Sequence, residues 1–227
     1  MDVEIRHAPS FGVARCRLRA SEAVKVEAGA MMAHSVGMAL EAKIEGGVLK
    51  GLKRSVLGGE SLFMSTFTAP AQGGWVDVAA KLPGDLRVIE LDGSQSWIVE
   101  RGNWLASDAA VDIDAKWSGF KSLVGGEGGF MVHAEGVGKL LVASYGAIDV
   151  ISLGAGETVV VDTNHMLAFP DTVTFELRRA VEGRSIQSMK SGEGLVFHFT
   201  GPGDILTQTR NQQQLIAWIN TEIGSRE

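Results

Sequence analysis

The sequence predicts an all-β fold: a shortened double-stranded β-helix of jelly-roll type, built from three internal repeats and followed by a C-terminal α-helix. Three observations predict it. A short glycine block ending in glutamate occurs three times, as Gly58-Gly59-Glu60, Gly125-Gly126-Glu127 and Ser191-Gly192-Glu193. Its spacing of roughly 66 residues is the mark of a repeated supersecondary unit. A second unit recurs with it: Val26-Glu27-Ala28-Gly29-Ala30-Met31-Met32-Ala33, Val99-Glu100-Arg101-Gly102-Asn103-Trp104-Leu105-Ala106 and Val161-Asp162-Thr163-Asn164-His165-Met166-Leu167-Ala168. Short alternating segments fill the rest, and 29 glycines against 5 prolines fit many tight turns.

The elements follow in order. Val13, Arg15, Arg17 and Arg19 alternate with Ala14, Cys16 and Leu18. Period two with charge on one side reads as a half-buried strand. Cys16 then falls on the apolar face as a small core hydrophobe. Leu18, Leu91 and Leu153 precede the leading valine of the second unit at one constant spacing. Gly29, Gly102 and Asn164 share one position there, and glycine and asparagine are the residues that most readily take φ > 0. A strand, a left-handed turn and a further strand starting at the Met/Trp position are therefore expected.

Each repeat holds a first strand (Val3 to Arg6, Trp75 to Ala79, Leu140 to Ala143) and a second (Val13 to Leu18, Leu86 to Leu91, Ile148 to Leu153). A third strand (Val24 to Glu27, Trp97 to Glu100, Thr158 to Asp162) and a return strand (Met38 to Ile44, Val111 to Lys116, Val173 to Arg178) complete the pattern. The repeats span about 3–74, 75–139 and 140–204 of a single domain, 1–227. Residues 205–209 read as a closing strand that covers an open sheet edge. A helix is expected over 212–223, with Leu215, Ile216, Trp218, Ile219 and Ile223 on one stripe, Asn211 capping its start and Gly224 ending it. That stripe is expected to pack on the β-body or on a neighbouring subunit.

A linker precedes each glycine block. The first, Val48 to Leu57, places apolar residues at helical spacing with Lys50, Lys53 and Arg54 off that face and Leu52 on it. The second carries Trp117 and Phe120. These six residues are the candidate contacts for a protein partner or a membrane surface.

Composition removes several function classes. A formal charge of −6 argues against counterion-releasing nucleic-acid binding. A single cysteine leaves no intrachain disulfide and points to a reducing compartment. Met1 to Arg6 is charged, without the apolar segment of a secretory signal. No apolar run approaches the roughly 18 residues of a spanning helix. A cytoplasmic location, peripheral to the membrane at most, is the expectation.

Catalytic signatures are weak. The five histidines share no His-x-His or His-x-x-x-His spacing; His133 and His198, at similar places in repeats two and three, are the weak metal candidates. Glu60, Glu127 and Glu193 could be read as acids, but three equal copies suggest three equal environments, whereas acid–base pairs need different ones. They are read, with Gly58, Gly59, Gly125, Gly126 and Gly192, as structural turns. Gly154-Ala155-Gly156-Glu157 begins like a dinucleotide fingerprint but runs into a strand instead of a helix. No Gly-x-Ser-x-Gly elbow occurs. No catalytic residue and no cofactor are assigned.

The glycine–glutamate blocks, the Val-Glu-x-Gly-x-Met-Met pattern, Trp75-Val76-Asp77-Val78 with Leu82-Pro83-Gly84-Asp85-Leu86, and Gly201-Pro202-Gly203 with Gln208-Thr209-Arg210 together resemble one family. It is the bacterial and mitochondrial family named after altered inheritance of mitochondria, member twenty-four. The resemblance covers nearly the whole chain. It implies the three-repeat fold, kinship in fold to the tryptophan-responsive RNA-binding attenuation ring, and self-association. It offers no catalytic residues, and kinship with an RNA-binding ring is analogy of fold only. Mitochondrial relatives are linked to inner-membrane organisation; no transit-peptide pattern carries that location over. The reading is a non-catalytic scaffold or interaction protein that forms a homo-oligomer. A cupin-like metalloenzyme and a small-ligand-binding ring are the alternatives.

Overall fold

The computed structural model describes residues 1–45, 62–114, 131–180 and 194–223. Strand β1 (Asp2–Arg6) precedes the repeats. The first repeat supplies β2 (Val13–Leu18), β3 (Ala23–Glu27), β4 (Met31–His34), β5 (Ala39–Glu45), β6 (Leu62–Thr68) and β7 (Gly74–Ala79). The second supplies β8 (Leu86–Asp92), β9 (Trp97–Glu100), β10 (Trp104–Asp108), β11 (Asp112–Asp114), β12 (Met131–Glu135) and β13 (Val137–Ala143). The third supplies β14 (Ile148–Leu153), β15 (Thr158–Asp162), β16 (Met166–Pro170), β17 (Thr174–Arg179), β18 (Leu195–Thr200) and β19 (Gly203–Gln208). Helix α1 (Gln212–Ile223) follows.

All strand pairs in the four sheets are antiparallel, and the sheets run β1-β2-β7-β4, β5-β6-β3-β10-β13-β8, β11-β12-β9-β16-β19-β14 and β15-β18-β17. Each repeat is thus a two-layer sandwich. Its first, sixth and third strands form one layer; its second, fifth and fourth form the other. Neighbouring repeats are fused by sharing a sheet, because the third strand of one repeat pairs with the second strand of the repeat before it. β10 pairs with β3, matching Ala106 to Val26, and β16 pairs with β9, matching Ala168 to Val99.

A bulge makes this fusion possible. Register shifts fall between Met31 and Ala33, between Trp104 and Ala106, and between Met166 and Ala168. A bulge turns two consecutive side chains toward one face of a sheet. Trp104 accordingly packs in its own repeat's core, while Leu105 and Ala106 enter the core of the first repeat beside Val24, Val26 and Phe67. Met166 packs among Phe169, Phe197 and Phe199, while Leu167 and Ala168 enter the core of the second repeat. Strands β10 and β16 are consequently buried on both faces. Burial at about 25 cal/mol per Å² of apolar surface makes these seams a main source of stability.

Most sequence expectations hold. The fold is all-β with three repeats, and α1 occupies the expected residues. The Asn211 side chain accepts from the Gln214 backbone N–H at 2.8 Å, as a cap should. Cys16 is buried, and burial pushes its thiol up to about 12. Four expectations need correction. Residues 75–79 and 140–143 do not open repeats. β7 pairs back onto β2 and β13 onto β8, so each ends the unit before it. Residues 205–209 do not cover an open edge, since β19 lies inside a six-stranded sheet between β16 and β14. The shared turn is left-handed only at Gly29, φ +87°. Gly102 sits in a single 3-10 turn, Arg101–Asn103, and Asn164 is held by its backbone N–H and its side-chain amide donating to the Asp162 carboxylate. Such side chain-to-backbone closure needs no positive φ. The apolar stripe of α1 is not packed away: the helix buries no residue, and Ile216, Trp218 and Ile223 are exposed. Residues Lys50, Leu52, Lys53, Arg54, Trp117 and Phe120, the glycine–glutamate blocks at 58–60, 125–127 and 192–193, and Gly224 lie outside the described residues.

The inter-repeat packing makes a direct prediction. Leu105→Ala and Leu167→Ala should each lower the unfolding free energy in urea by about 2–5 kcal/mol. A cost under about 1 kcal/mol at both would contradict a core shared between repeats.

Candidate functional site

Two features distinguish this molecule from a uniform stack of sandwiches. One is a seam left open; the other is a pair of clefts at the seams that are closed.

The open seam is the one that the third repeat and the first do not make with each other. At the two closed seams the second and third strands of the repeats lie inside six-stranded sheets. The remaining copies, β15 and β4, are sheet edges. Met31 and Met32 are 39% and 55% exposed, where their counterparts Trp104, Leu105, Met166 and Leu167 are fully buried. Val160 is 55% exposed, against 3% for its counterpart Ile98. The apolar pair at the start of the third strand is thus covered twice and bare once.

The outer face of this terminus is polar where the closed seams are apolar. Leu141 and Leu206 pack into the core of the preceding repeat; Asp77 holds the same position in β7. Asp77 is buried. It accepts two bonds from Arg15, at 2.8 Å each, and one from Arg6 at 2.8 Å. The Arg15 hydrogen bonds outweigh burial and hold the Asp77 carboxyl below the usual carboxylate range. Arg15 also stacks 3.9 Å from the Trp75 ring. A polar outer face is the pattern of the terminal repeat in a repeat protein.

The clefts correspond at Glu27 and Glu100, at the turns holding Asn103 and Asn164, and at Ala143 and Gln208; the rest of their linings differ. Each lies where the glutamate ending a second strand meets the turn of the following repeat. In the first cleft, of about 100 Å³, Glu27 faces Gly102 and Asn103, and Lys81 reaches its carboxylate at 2.6 Å. In the second, of about 250 Å³, Glu100 faces Thr163 and Asn164, and Leu177, Leu195 and Phe197 form an apolar wall. A polar spine joins the two. Asn103 Nδ2 donates to Gln208 Oε1 at 2.9 Å, and Gln208 Nε2 donates to the Asn164 carbonyl at 3.3 Å. Gln212, at the start of α1, lines both clefts.

Burial pushes the Glu100 carboxyl up to about 7; the Gly102 N–H opposes this, Glu27 adds to it, and the attraction of Arg101 offsets it least. The sequence pattern does not single out Glu100, because it belongs to a structural repeat. A signal is nevertheless present in the aligned units: Glu27, Glu100 and Asp162 share a position, and the residue two beyond the sixth strand changes from Lys81 to Tyr145.

The two metal candidates stand on different sheets. His133 lies on β12 opposite Ile98 and Asp114, and His198 on β18 opposite Val160 and Glu176, in different sheets. Register makes Thr66 their counterpart in the first repeat, since it pairs with Lys25 and Glu41. Among the described residues no group of three metal-ligating side chains forms.

The fold and these seams define a class: three-repeat all-β proteins of fused jelly-roll sandwiches. The family model described as "Mitochondrial biogenesis AIM24" matches residues 3–210, and the chain belongs to that family. An uncharacterized protein of Streptococcus pyogenes serotype M6 is 30% identical over 222 residues, covering 94% of this chain and 88% of that protein. A structural-genomics X-ray crystal structure of a Streptococcus pyogenes protein has the same fold, with a TM-score of 0.80 and 27% identity, covering 97% of this chain and 99% of that one. These relatives carry no assigned activity in their names.

The raised Glu100 carboxyl sets a pH dependence. Between the ordinary glutamate value of 4.5 and about 7, the folded protein keeps a proton that the unfolded chain has released. Stability should therefore fall as pH rises through that window, by about 3 kcal/mol, and level off above it. Glu100→Gln should flatten this slope in urea unfolding measured from pH 4.5 to 8. An unchanged slope in the variant would show that Glu100 is not its source.

Proposed function

We propose that this protein is a non-catalytic scaffold that assembles head to tail, β15 of one copy pairing with β4 of the next. The open seam carries this reading. The chain itself joins a second strand to the third strand of the following repeat twice, and a further copy can repeat the same join. Matching residues by repeat gives the register: Val161 opposite Ala33, Val160 opposite His34 and Val159 opposite Ser35. Such an interface is heterologous, and it yields a ring if the rotation per copy closes and a filament if it does not. Exposed edges are templates for pairing with another chain.

Two further features support the reading. The polar face at Asp77, Arg15 and Arg6 lets the separate chain stay soluble before assembly. The lone, buried Cys16 suits a reducing compartment such as the cytoplasm. No helix among the described residues is long and apolar enough to cross a membrane. The basic linker at 48–57 is the proposed contact with a membrane surface or protein partner.

Light scattering should give a mass several times the 24.1 kDa of one chain. Val160→Lys combined with Met32→Glu should reduce it to one chain without loss of β-structure by circular dichroism. With Ala33→Cys and Val161→Cys together, oxidation should produce a ladder of linked chains on a denaturing gel. A single-chain mass for the unmodified protein at micromolar concentration, or a crosslink confined within one chain, would sink the proposal.

A further inference from the structure

The cleft at Glu100 has an internal template for what would fill it. In the corresponding first cleft the glutamate is neutralised from within, by the Lys81 ammonium at 2.6 Å from Glu27. That ammonium arrives on the chain leaving the sixth strand. In the second repeat the same place on the chain holds Tyr145, which lines the first cleft, and the described residues that line the second cleft include no lysine or arginine. The second cleft is also the larger, about 250 Å³ against about 100 Å³. Its added wall is apolar: Leu177, Leu195 and Phe197. A carboxyl at one end and hydrocarbon along the side is the arrangement that selects an amphipathic ligand, with the polar group fixing orientation and the wall supplying contact area.

We propose that this cleft binds a small primary alkylamine, its ammonium on Glu100 and its chain against Leu177 and Leu195, the partly exposed part of the apolar wall. The bound ammonium takes the part that Lys81 plays for Glu27. A charge-assisted bond from ammonium to carboxylate is about twice as strong as a neutral one, which favours an amine over an alcohol of equal length. The same carboxylate repels an acid of equal length. Burial of the Glu100 carboxyl and its raised proton affinity fit a group held ready for a cation. The neighbouring Arg101 and Glu27 act on it in opposite directions. The site stands on residues of one chain, so it is independent of head-to-tail assembly.

The test is titration calorimetry of the full chain at pH 8 with three probes: n-hexylamine, n-hexanol and hexanoate. Hexylamine should bind saturably with one site per chain, at least about tenfold tighter than hexanol, with no saturation by hexanoate. Glu100→Gln should weaken hexylamine at least about tenfold and leave hexanol unchanged. Leu177→Trp, which fills the cleft and keeps the carboxyl, should weaken hexylamine and hexanol together. Circular dichroism of both variants checks folding, and each variant tests the site without the other. Absence of saturation by hexylamine, equal binding of hexanol, or full hexylamine affinity in Leu177→Trp would each overturn the proposal. Assembly measured in parallel on Glu100→Gln should be unchanged, which separates failure of this site from failure of the scaffold reading.

Discussion

The pairing of a third strand with the second strand of the preceding repeat is the constraint on which the molecule rests. It fuses three sandwiches into one body. It buries β10 and β16 on both faces, and it places Leu105, Ala106, Leu167 and Ala168 in cores that are not their own repeat's. The bulge at each of these strands is what allows one short segment to serve two cores. A strand with simple alternation would put Leu105 and Ala106 on opposite faces and leave one of the two cores short of a side chain.

The two ends of the array solve a problem that the interior does not have. An interior seam is covered by the next repeat, so leucines stand at 141 and 206. At the first repeat nothing among the described residues covers that face, and the position becomes Asp77, held by Arg15 and Arg6. A buried carboxylate is tolerable there because both oxygens are paired and the arginines reach solvent. The edge beneath it is handled differently. Met32 keeps the apolar character of Leu105 and Leu167, and Val160 that of Ile98, while standing exposed. A polar face above and an apolar edge below suit a joint made after folding, where specificity comes from charge and contact area from the strand edge.

The clefts show how repetition with small changes creates differences. Glu27 and Glu100 share a position in the repeat. One meets Lys81; the other lies beside an apolar wall, with no lysine or arginine among the described residues that line its cleft. Burial moves the Glu100 carboxyl up to about 7. Equal copies of a glutamate in a sequence therefore do not mean equal environments, because each repeat packs on different partners.

The sequence alone determined the all-β class, the strands other than β6, β12 and β18, the threefold repetition, the burial of Cys16 and the extent and cap of α1. These follow from local periodicity, turn chemistry and self-similarity, which need no knowledge of distant contacts. It misplaced the start of each unit, because a strand that ends one repeat and a strand that begins the next look alike until their partners are known. It also assigned left-handed turns at Gly102 and Asn164 from residue type, where a 3-10 turn and the Asp162 carboxylate close the chain instead. Only the tertiary structure decided that β19 is an interior strand, that the stripe of α1 stands unburied, that β4 and β15 are left as edges, and that Glu100 and Asp77 sit in environments unlike those of their counterparts. Each depends on which strand lies beside which across long sequence separations. Residue spacing carries little trace of that choice, because pairing partners are selected by the packing of whole sheets.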